Sequence, residues 1–404
     1  MKKFLMLFAC GIVAAMLWGC GSDNSTAPPP ADPQGAATEV ALGNTDLGNG
    51  NYAGANQHYQ AALTKDPNNN QARLGVAVTD VYLLQNDTEV QSVVDYLDQV
   101  PPPVVGNARV MLHSKRVASL LDPAHRSFTP VSEGRAVMRM LTAAVTNPPA
   151  ISDIQRIIVT KVMPKLQSTQ NHLNVIEQAS EFVFKLPPAA TGLADTLEID
   201  KSDVLLLDSV VNGVQGWLGL VVAYNFDVSN NDFDNVNTDS LLTPGTDWAK
   251  LHDGGALALA AAKENLLLVK TRLDQAALSL AGEADDQTDD LVPKTWLDTP
   301  EYQDLQDGVT RATNTLAGPV AITVNDYAGQ PFAMGLNLGR FFVPAITDLK
   351  TKLPDHTFDV YGKPQLVAPI TFPDPTINGI FPDMTDARWQ QLTGVTGPVA
   401  RATR

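Results

Sequence analysis

The sequence predicts an all-α protein with one large helical core, and several observations support this prediction. Apolar residues recur along most of the chain at the three- and four-residue spacing of amphipathic helices. The segments between these stretches are rich in Pro, Gly, Asn and Asp, which end helices. Strict apolar–polar alternation, which is typical of a half-buried strand, is almost absent. A hydrophobic content of 44% is enough to build a large core.

The first 19 residues predict a secretory signal peptide. Lys2 and Lys3 give it a positive start, and residues 4–17 follow with mostly apolar side chains and no charge. This run of about 14 residues is too short to cross a hydrocarbon core of ~30 Å as a helix. We therefore expect residues 1–19 to be removed from the mature protein.

The signal ends in Leu17-Trp18-Gly19-Cys20. This motif resembles the lipobox of bacterial lipoproteins, which has an aliphatic residue three places before the cysteine and a small residue directly before it. Trp18 departs from the small residue that is usual at its position. The resemblance implies that the sulfur of Cys20 receives a diacylglyceryl group and that a dedicated peptidase cuts before this residue. Two or more acyl chains would anchor the mature protein stably. An ordinary signal peptide with an incidental cysteine is the alternative.

Residues 20–36 are predicted to form the lipidated end and a flexible tether. The part from 21 to 33 is rich in Ser, Thr, Pro, Asp and Asn, and such a composition cannot bury a core. A tether of this kind lets a folded domain stand off a membrane. Gly21 rather than Asp follows the cysteine, and by resemblance to enterobacterial sorting rules this implies the outer membrane. We expect the protein in the cell envelope, at the periplasmic face of that membrane or on the cell surface.

Charge and cysteine content exclude several classes of function. The formal net charge is −16, and it becomes −18 once Lys2 and Lys3 are removed. Such an acidic chain repels nucleic acids and anionic lipid headgroups. The two cysteines are Cys10, inside the signal, and Cys20. The folded part therefore has no thiol for a disulfide, a cysteine–zinc site, an iron–sulfur cluster or a cysteine nucleophile.

A repeat signature begins shortly after the tether. Its positions are Leu42, Gly43, Gly50, Tyr52, Ala55, Tyr59, Ala62 and Pro67. This spacing resembles a tetratricopeptide repeat, in which two helices form a hairpin and small residues mark their crossing. The resemblance implies that Gly43 faces Ala55 at the crossing, whereas Asn56 points away from it. Glu39 and Asp46 depart from the pattern, since they stand where the repeat favours Trp and Tyr.

A second copy of the repeat is predicted in a degenerate form. Pro101 lies 34 residues after Pro67, which is the period of the repeat, and Val76-Ala77 and Tyr96 occupy signature places. Residues 37–101 would thus form tetratricopeptide-like hairpins. One or two repeats cannot bury their own faces, so we expect them to pack on the helical domain that follows.

The helical domain is predicted to span residues 102–353. The helices expected in it are 132–145, 151–186 with a division near Pro164, 204–224, 256–281, 301–316 and 341–353. The helix 204–224 is apolar on most faces and is therefore expected to be the central buried one. A membrane span is the rival interpretation, but Asp208, Asn212 and Gln215 interrupt the apolar run. Residues 354–404 are Pro-rich and predict an irregular tail with a short helix at 385–392.

Two acidic segments are candidates for a cation site. Asp227, Asp232 and Asp234 lie in an Asn/Asp-rich stretch whose oxygens suit Ca²⁺, but the stretch lacks the Gly and the Glu that an EF-hand loop places sixth and twelfth. The second segment, 283–290, is expected to be a solvated turn. The helix 256–281 would hold the two segments ~40 Å apart. We therefore expect no metal site, with Asp227, Asp232 and Asp234 as weak candidates.

No catalytic signature is present in the sequence. The six histidines show no metal-ligand spacing, and the chain has no Gly-x-Ser-x-Gly motif, phosphate-binding loop or dinucleotide fingerprint. We expect a protein without enzymatic activity or cofactor that binds a protein or peptide partner, or acts as a scaffold, through a helical repeat groove. The alternatives are a helical lipoprotein that holds a small ligand for a transport system and, less favoured, an envelope hydrolase that uses paired carboxylates.

Overall fold

The computed structural model describes residues 31–99, 150–186, 196–227, 242, 246–284, 290–358 and 364–396. The signal peptide, Cys20, the predicted helix 132–145 and the candidates Asp232 and Asp234 lie outside these residues. Helix accounts for 62% of the described residues and strand for 11%. The prediction of a mostly helical protein is thereby confirmed.

Four helices form the N-terminal part of the described chain. They are α1 (Pro33–Gly48), α2 (Tyr52–Lys65), α3 (Asn70–Asn86) and α4 (Thr88–Gln99). A short polar side chain starts each of the first three: Asp32 accepts from the backbone N–H of Gly35, Asn51 from that of Gly54 and Asn69 from that of Ala72. These bonds satisfy N–H groups that a helix start leaves free. Gly50 adopts a φ of +72° between α1 and α2, where its lack of a Cβ permits the tight turn.

The ring of Tyr59 is the point at which the first three helices meet. It is fully buried, and its hydroxyl donates to Oδ1 of Asn44 at 2.7 Å. A Cβ added to Gly43 would lie 2.7 Å from this ring, and one added to Gly75 would lie 2.5 Å from it. Gly43 therefore makes room for Tyr59. Asn56, which the repeat resemblance places away from the crossing, is buried and donates to Oγ1 of Thr79 at 2.7 Å.

The next stretch is helical from Ile151 to Ile176, with an irregularity in the middle. Helix α5 (Ile151–Ile157) continues through a π-helical segment (Ile158–Val162) into α6 (Met163–Ile176). Pro164 lies at the start of α6. Because proline has no N–H, it cannot donate the backbone hydrogen bond that a regular α-helix forms to a carbonyl of the preceding turn. The division predicted near Pro164 is thus a widened turn rather than a break.

The helix predicted to continue to residue 186 ends ten residues earlier. Strand β1 (Val183–Leu186) follows and pairs antiparallel with β2 (Leu197–Asp200). Phe184 and Leu186 are buried in β1 whereas Val183 and Lys185 are exposed, so this short segment has strand periodicity.

Two long antiparallel helices form the centre of the described structure. They are α7 (Lys201–Ala223) and α8 (Gly255–Gly282). A Cβ added to Gly216 would lie 2.5 Å from Cγ of Leu266, and one on Gly219 would lie 2.9 Å from Cβ of Ala262. These two glycines therefore set the close approach of α7 and α8.

Helix α7 is long and apolar enough to cross a membrane, a property that it shares with core helices of globular proteins. Asp208, Asn212 and Gln215 are almost fully buried on its inner side. The side chain of Gln170 on α6 donates to Asn212 at 2.8 Å, and that of Asn265 on α8 donates to Gln215 at 3.1 Å. The polar residues that interrupt the apolar run thus face neighbouring helices.

The C-terminal part contains more strand than the sequence predicted. After α9 (Pro300–Ala317), strand β3 (Val320–Asn325) pairs antiparallel with β4 (Pro331–Leu336), and β5 (His356–Phe358) pairs with β6 (Pro364–Leu366). The helix expected at 341–353 is wrong: the chain forms a short α10 (Gly339–Phe342), passes Pro344 and makes a 3₁₀ turn at Leu349–Lys352. Pro344 explains the interruption because it cannot continue the helix. Helix α11 (Asp386–Thr393) lies where the short terminal helix was predicted.

One hydrophobic cluster joins the N-terminal helices to the rest. It contains Val40, Tyr59 and Leu74 from α1 to α3, Leu173 from α6 and Val204 from α7. The first helices therefore pack on α6 and α7 instead of forming a separate core.

Candidate binding cleft and buried acidic centres

An open cleft of about 350 Å³ lies between α3 and the α5–α6 stretch. Leu83, Leu84 and Pro164 give it apolar walls, while Lys161 and Lys165 contribute cationic groups. The remaining lining residues are Asp87, Thr160 and Ser168. A cleft that combines apolar walls with a few polar groups can hold an apolar side chain and orient the groups attached to it.

A seam of ion pairs runs beside the cleft. Nζ of Lys161 lies 2.9 Å from Oδ2 of Asp87, and Nζ of Lys165 lies 2.6 Å from Oδ1 of the buried Asp80. Further along, Nη1 of Arg156 lies 2.9 Å from Oε2 of Glu89. Basic residues of the α5–α6 stretch thus face acidic residues at 80–89. The opposite charges of the two segments are visible in the sequence, but their pairing is not, because the partners lie 67 to 85 positions apart.

Asp87 serves both the seam and the start of α4. Its Oδ1 accepts a hydrogen bond from the backbone N–H of Glu89 at 2.9 Å, and its Oδ2 accepts one from Nζ of Lys161. The hydrogen bond from Lys161 holds the pKa of Asp87 below its usual range, and the same pairing raises the pKa of Lys161. Both groups therefore stay charged at neutral pH.

Glu39 and Asp46, the two residues that depart from the repeat pattern, both lie close to His58. Nδ1 of His58 lies 2.8 Å from Oε2 of Glu39, and its Nε2 lies 3.8 Å from Oδ2 of Asp46. Lys65 also approaches Glu39, at 2.7 Å, and its hydrogen bond is the main reason why the pKa of Glu39 is lowered. Polar contacts thus replace the aromatic packing that the repeat pattern would place here.

The remaining signature residues divide between the core and the surface. Ala55 and Ala62 are fully buried, whereas Leu42 is 46% exposed. The ring of Tyr52 stacks on that of Tyr82 with centroids 4.4 Å apart. Pro67 follows α2, and its carbonyl oxygen accepts from Arg73. Only part of the signature therefore contributes directly to the core.

A buried carboxyl pair lies among α6, α7 and α8. Nε of Arg272 donates to Oδ2 of Asp208 at 2.7 Å, and Nη2 of Arg272 lies 2.8 Å from Oε2 of Glu177. Burial, followed by the charge of Asp208, raises the pKa of Glu177 to about 7. Burial also raises the pKa of Asp208, although Arg272 opposes that shift. The pair thus keeps a proton at mildly acidic pH, with Arg272 compensating the remaining charge.

This pair is enclosed rather than open to a substrate. The side chain of Asp208 is 0% exposed and that of Glu177 is 3% exposed. A glycosidase needs its two carboxyl groups on either side of a sugar ring, with access for water. This pair was not among the predicted sites, yet an aspartate inside the apolar run 204–224 is a signal for such a centre.

A second acidic centre surrounds Asp203 at the start of α7. Oδ2 of Asp203 accepts from the backbone N–H of Asp200 at 3.1 Å, whereas its buried Oδ1 has no hydrogen-bond partner in the described chain. Burial raises the pKa of Asp203 to about 8, and the charges of Asp200, Glu283 and Asp290 add to the shift. Glu283 and Asp290, at the two ends of the segment expected to be a solvated turn, thus act electrostatically on a buried carboxyl.

The described residues give no metal site. No three of their His, Cys, Asp and Glu side chains are placed to hold a metal ion. Among the weak calcium candidates, Asp227 is described, and its Oδ2 accepts from the hydroxyl of Ser152 at 3.1 Å.

The cleft and the two acidic centres are the candidate functional features of the described residues. Comparison of the chain with protein-family models, with curated proteins and with solved structures finds no match.

Proposed function

We propose that this protein is a lipid-anchored lipoprotein of the bacterial cell envelope that binds a protein or peptide partner and catalyses no reaction. The observation that carries the binding proposal is the open cleft between α3 and α6. Its apolar walls at Leu83, Leu84 and Pro164 suit an apolar side chain, and the ion pair of Lys161 with Asp87 places polar groups beside it. Segments of polypeptide offer this combination of groups.

The packing of α1, α2 and α3 supports a tetratricopeptide-like arrangement of this region. Small residues at Gly43 and Gly75 admit the ring of Tyr59, as in repeats whose helices approach closely. Repeats of this class bind partners on the surfaces of stacked helices. In this interpretation the cleft is the end of such a surface, closed on its far side by α6.

A small-ligand carrier is less favoured than a peptide-binding protein. The cleft volume of about 350 Å³ lies at the lower end of the ~300–1,000 Å³ that ligand pockets occupy, and the cleft is open. An envelope hydrolase is also less favoured, because its best carboxylate pair, Glu177 and Asp208, is enclosed by three helices.

A single introduced cysteine can test the cleft, because the lipidated protein would carry no free thiol. Ser168→Cys places a thiol in the cleft, and a photoreactive maleimide attached there should crosslink the partner in intact cells. Thr271→Cys is the matched control, since Thr271 is exposed on α8 and lies outside the cleft.

The proposal expects a discrete adduct from the Ser168→Cys protein and none from the control. Adding Leu84→Lys should remove the adduct, because a charge would replace one apolar wall of the cleft. Identical adducts from both cysteine positions, or an adduct that survives Leu84→Lys, would contradict binding in the cleft.

A further inference from the structure

The two-stranded sheet β3–β4 has two edges, and the register shows which backbone groups each edge presents. Thr323 is opposite Ala333, and Ala321 is opposite Gly335. In an antiparallel pair, residues alternate between those that bond across the ladder and those whose N–H and C=O point outward. The contacts of β4 therefore identify the residues of both strands whose backbone N–H and C=O groups point outward.

The outer edge of β4 is closed by groups from the C-terminal region. The backbone N–H of Gly335 donates to Oδ1 of Asp383 at 2.7 Å, and the carbonyl oxygen of Ala333 accepts from Nη2 of Arg388. Pro331, at the next outward place, has no N–H. These two hydrogen bonds and the proline each prevent a further strand from pairing with β4.

Among the described residues, no group protects the outer edge of β3 in this way. The backbone N–H and C=O groups of Ala333 and Gly335 point away from β3. Those of the opposite residues, Thr323 and Ala321, therefore point away from β4, and those of Asn325 continue the series. All three residues are exposed, and within the described ranges no group bonds to their outward N–H and C=O groups. The edge ends at Tyr327, whose N–H donates to the carbonyl oxygen of Leu392 at 2.9 Å.

The composition of β3 favours strand pairing. Its sequence, VAITVN, contains three aliphatic β-branched residues and a threonine, and it has no charge, glycine or proline. Such a strand has high β propensity and lacks the lysine or proline with which edge strands usually block additions. The inner side chains Ile322 and Val324 pack in a cluster with Trp389 and Leu392, so the edge is held in place from behind.

We propose that the free edge of β3 binds an extended segment of a partner protein by strand addition. Ala321, Thr323 and Asn325 offer three N–H and three C=O groups to such a segment. Alternate side chains of the added strand would lie beside Ile322 and Val324, so apolar residues fit there. This surface is formed by other elements than the cleft, and the proposal does not depend on the cleft.

Charge decides which occupant the edge favours. The chain carries a net charge of −16, so a segment that is neutral in the paired stretch and basic at its flanks is attracted. Two copies of this chain would repel each other instead. A pair of six-residue strands also buries far less than the ~1,200 Å² of a stable interface, which argues against self-association through this edge alone.

The test uses the purified lipoprotein in detergent and a phage-displayed library of random 12-residue peptides. Peptides selected on the wild-type protein are synthesised and titrated against it and against two variants. Thr323→Pro removes an outward N–H without touching the bonds to β4, a position at which edge strands tolerate proline. Thr323→Val keeps the backbone and serves as the matched control.

The proposal expects selected peptides to bind Thr323→Pro about tenfold more weakly or worse, since loss of about 1.4 kcal/mol gives that factor. Thr323→Val should bind them as the wild-type does, and bound peptide should slow amide hydrogen exchange at Ala321, Thr323 and Asn325. Should Thr323→Pro lower the thermal midpoint by more than a few degrees, Thr323→Lys replaces it, because a charged edge also opposes pairing.

Three results would overturn the proposal. In the first, no peptide is enriched on the wild-type protein. In the second, the enriched peptides bind Thr323→Pro, or Thr323→Lys where it replaces that variant, as tightly as they bind the wild-type protein. In the third, the wild-type protein forms dimers that Thr323→Pro dissolves, which would assign the edge to a second copy of this chain.

Discussion

At the scale of single residues, the ring of Tyr59 fixes how the first three helices pack. Gly43 on α1 and Gly75 on α3 lie so close to it that a Cβ on either would fall within 3 Å of ring atoms. Burial also raises the pKa of the Tyr59 hydroxyl, which stays neutral and donates to Asn44. The small residues of α1 and α3 are therefore required by the aromatic residue between them.

This packing predicts that Gly75→Ala destabilises the protein. The new methyl group would overlap the ring of Tyr59, and overpacking of this kind costs about 1–3 kcal/mol. Gly308→Ala on α9 is the matched control, because a Cβ there meets nothing within 4 Å and alanine favours the helix by about 0.5–1 kcal/mol. Thermal unfolding should show a lower midpoint for Gly75→Ala and an unchanged or higher one for Gly308→Ala. Equal midpoints would mean that Tyr59 has room to move.

The buried carboxyl of Asp203 predicts that stability falls as pH rises. Its folded-state pKa of about 8 lies above the value of about 3.9 in an unfolded chain. Between these values the folded protein holds a proton that the unfolded chain has released, so the unfolding free energy decreases by up to about 1.4 kcal/mol per pH unit. The contribution is complete below about pH 4 and is lost as the pH rises through about 8.

The test is a series of chemical unfolding experiments between pH 5 and 8.5. Asp203→Asn cannot ionise and should make the decline shallower, leaving the part that the raised pKa of Glu177 contributes, and Asp307→Asn, at a carboxyl that is 75% exposed, should leave it unchanged. A wild-type protein whose stability is constant across this range would contradict the assignment of a protonated Asp203.

At the scale of elements, the ion-pair seam ties α3 and α4 to the α5–α6 stretch, and its pairs differ in burial. Asp80 is 3% exposed in its side chain, whereas Asp87 is 24% exposed. Lys165→Met leaves Asp80 as a buried charge without its cation and should cost about 1–3 kcal/mol. Lys161→Met should cost less than about 1 kcal/mol, because its more exposed pair is screened by water. Urea unfolding of the two variants gives the comparison, and the reverse order would show that Asp80 is better solvated than its position indicates.

Long helices were predictable from the sequence, whereas short strands were not. The helices predicted at 204–224 and 256–281 correspond closely to α7 and α8, because 20 or more residues of helical periodicity average out local exceptions. Strands β1 to β6 have three to six residues each, too few for alternation to stand out from chance. The Phe341–Leu353 stretch misled because its apolar spacing resembled a helix while Pro344 lay inside it.

The candidate sites were less predictable than the elements, since they depend on contacts between distant residues. Lys165 and Asp80 are 85 positions apart, and Arg272 and Asp208 are 64 apart. Nothing local to Asp80 distinguishes it from an exposed aspartate. Asp208 did carry a signal, because a charge within an apolar helix requires a partner, but the sequence could not identify Arg272 as that partner.

At the scale of the whole molecule, the proposed surfaces are compatible with the proposed lipid anchor at Cys20. A chain of net charge −16 is repelled by anionic headgroups, so the proposed attachment would depend on covalent lipid rather than on surface charge. An anchor at Cys20 would involve neither the cleft at α3–α6 nor the edge of β3. The proposals for the cleft and the strand edge differ in their variants, so each can fail without the other.

The lipid anchor itself predicts an absence of reactivity. If Cys20 carries a diacylglyceryl group, its sulfur is a thioether, which cannot add to a maleimide, and Cys10 leaves with the signal peptide. Wild-type protein extracted from membranes and unfolded should therefore show no mass shift with a maleimide–polyethylene glycol reagent, whereas Ser168→Cys should shift once.

Cys20→Ser should leave the membrane fraction or stay at the uncleaved size. A wild-type protein that shifts once has a free thiol at Cys20, and a Cys20→Ser protein that stays cleaved and membrane-bound is held by something else. Either result would contradict a lipid anchor at Cys20.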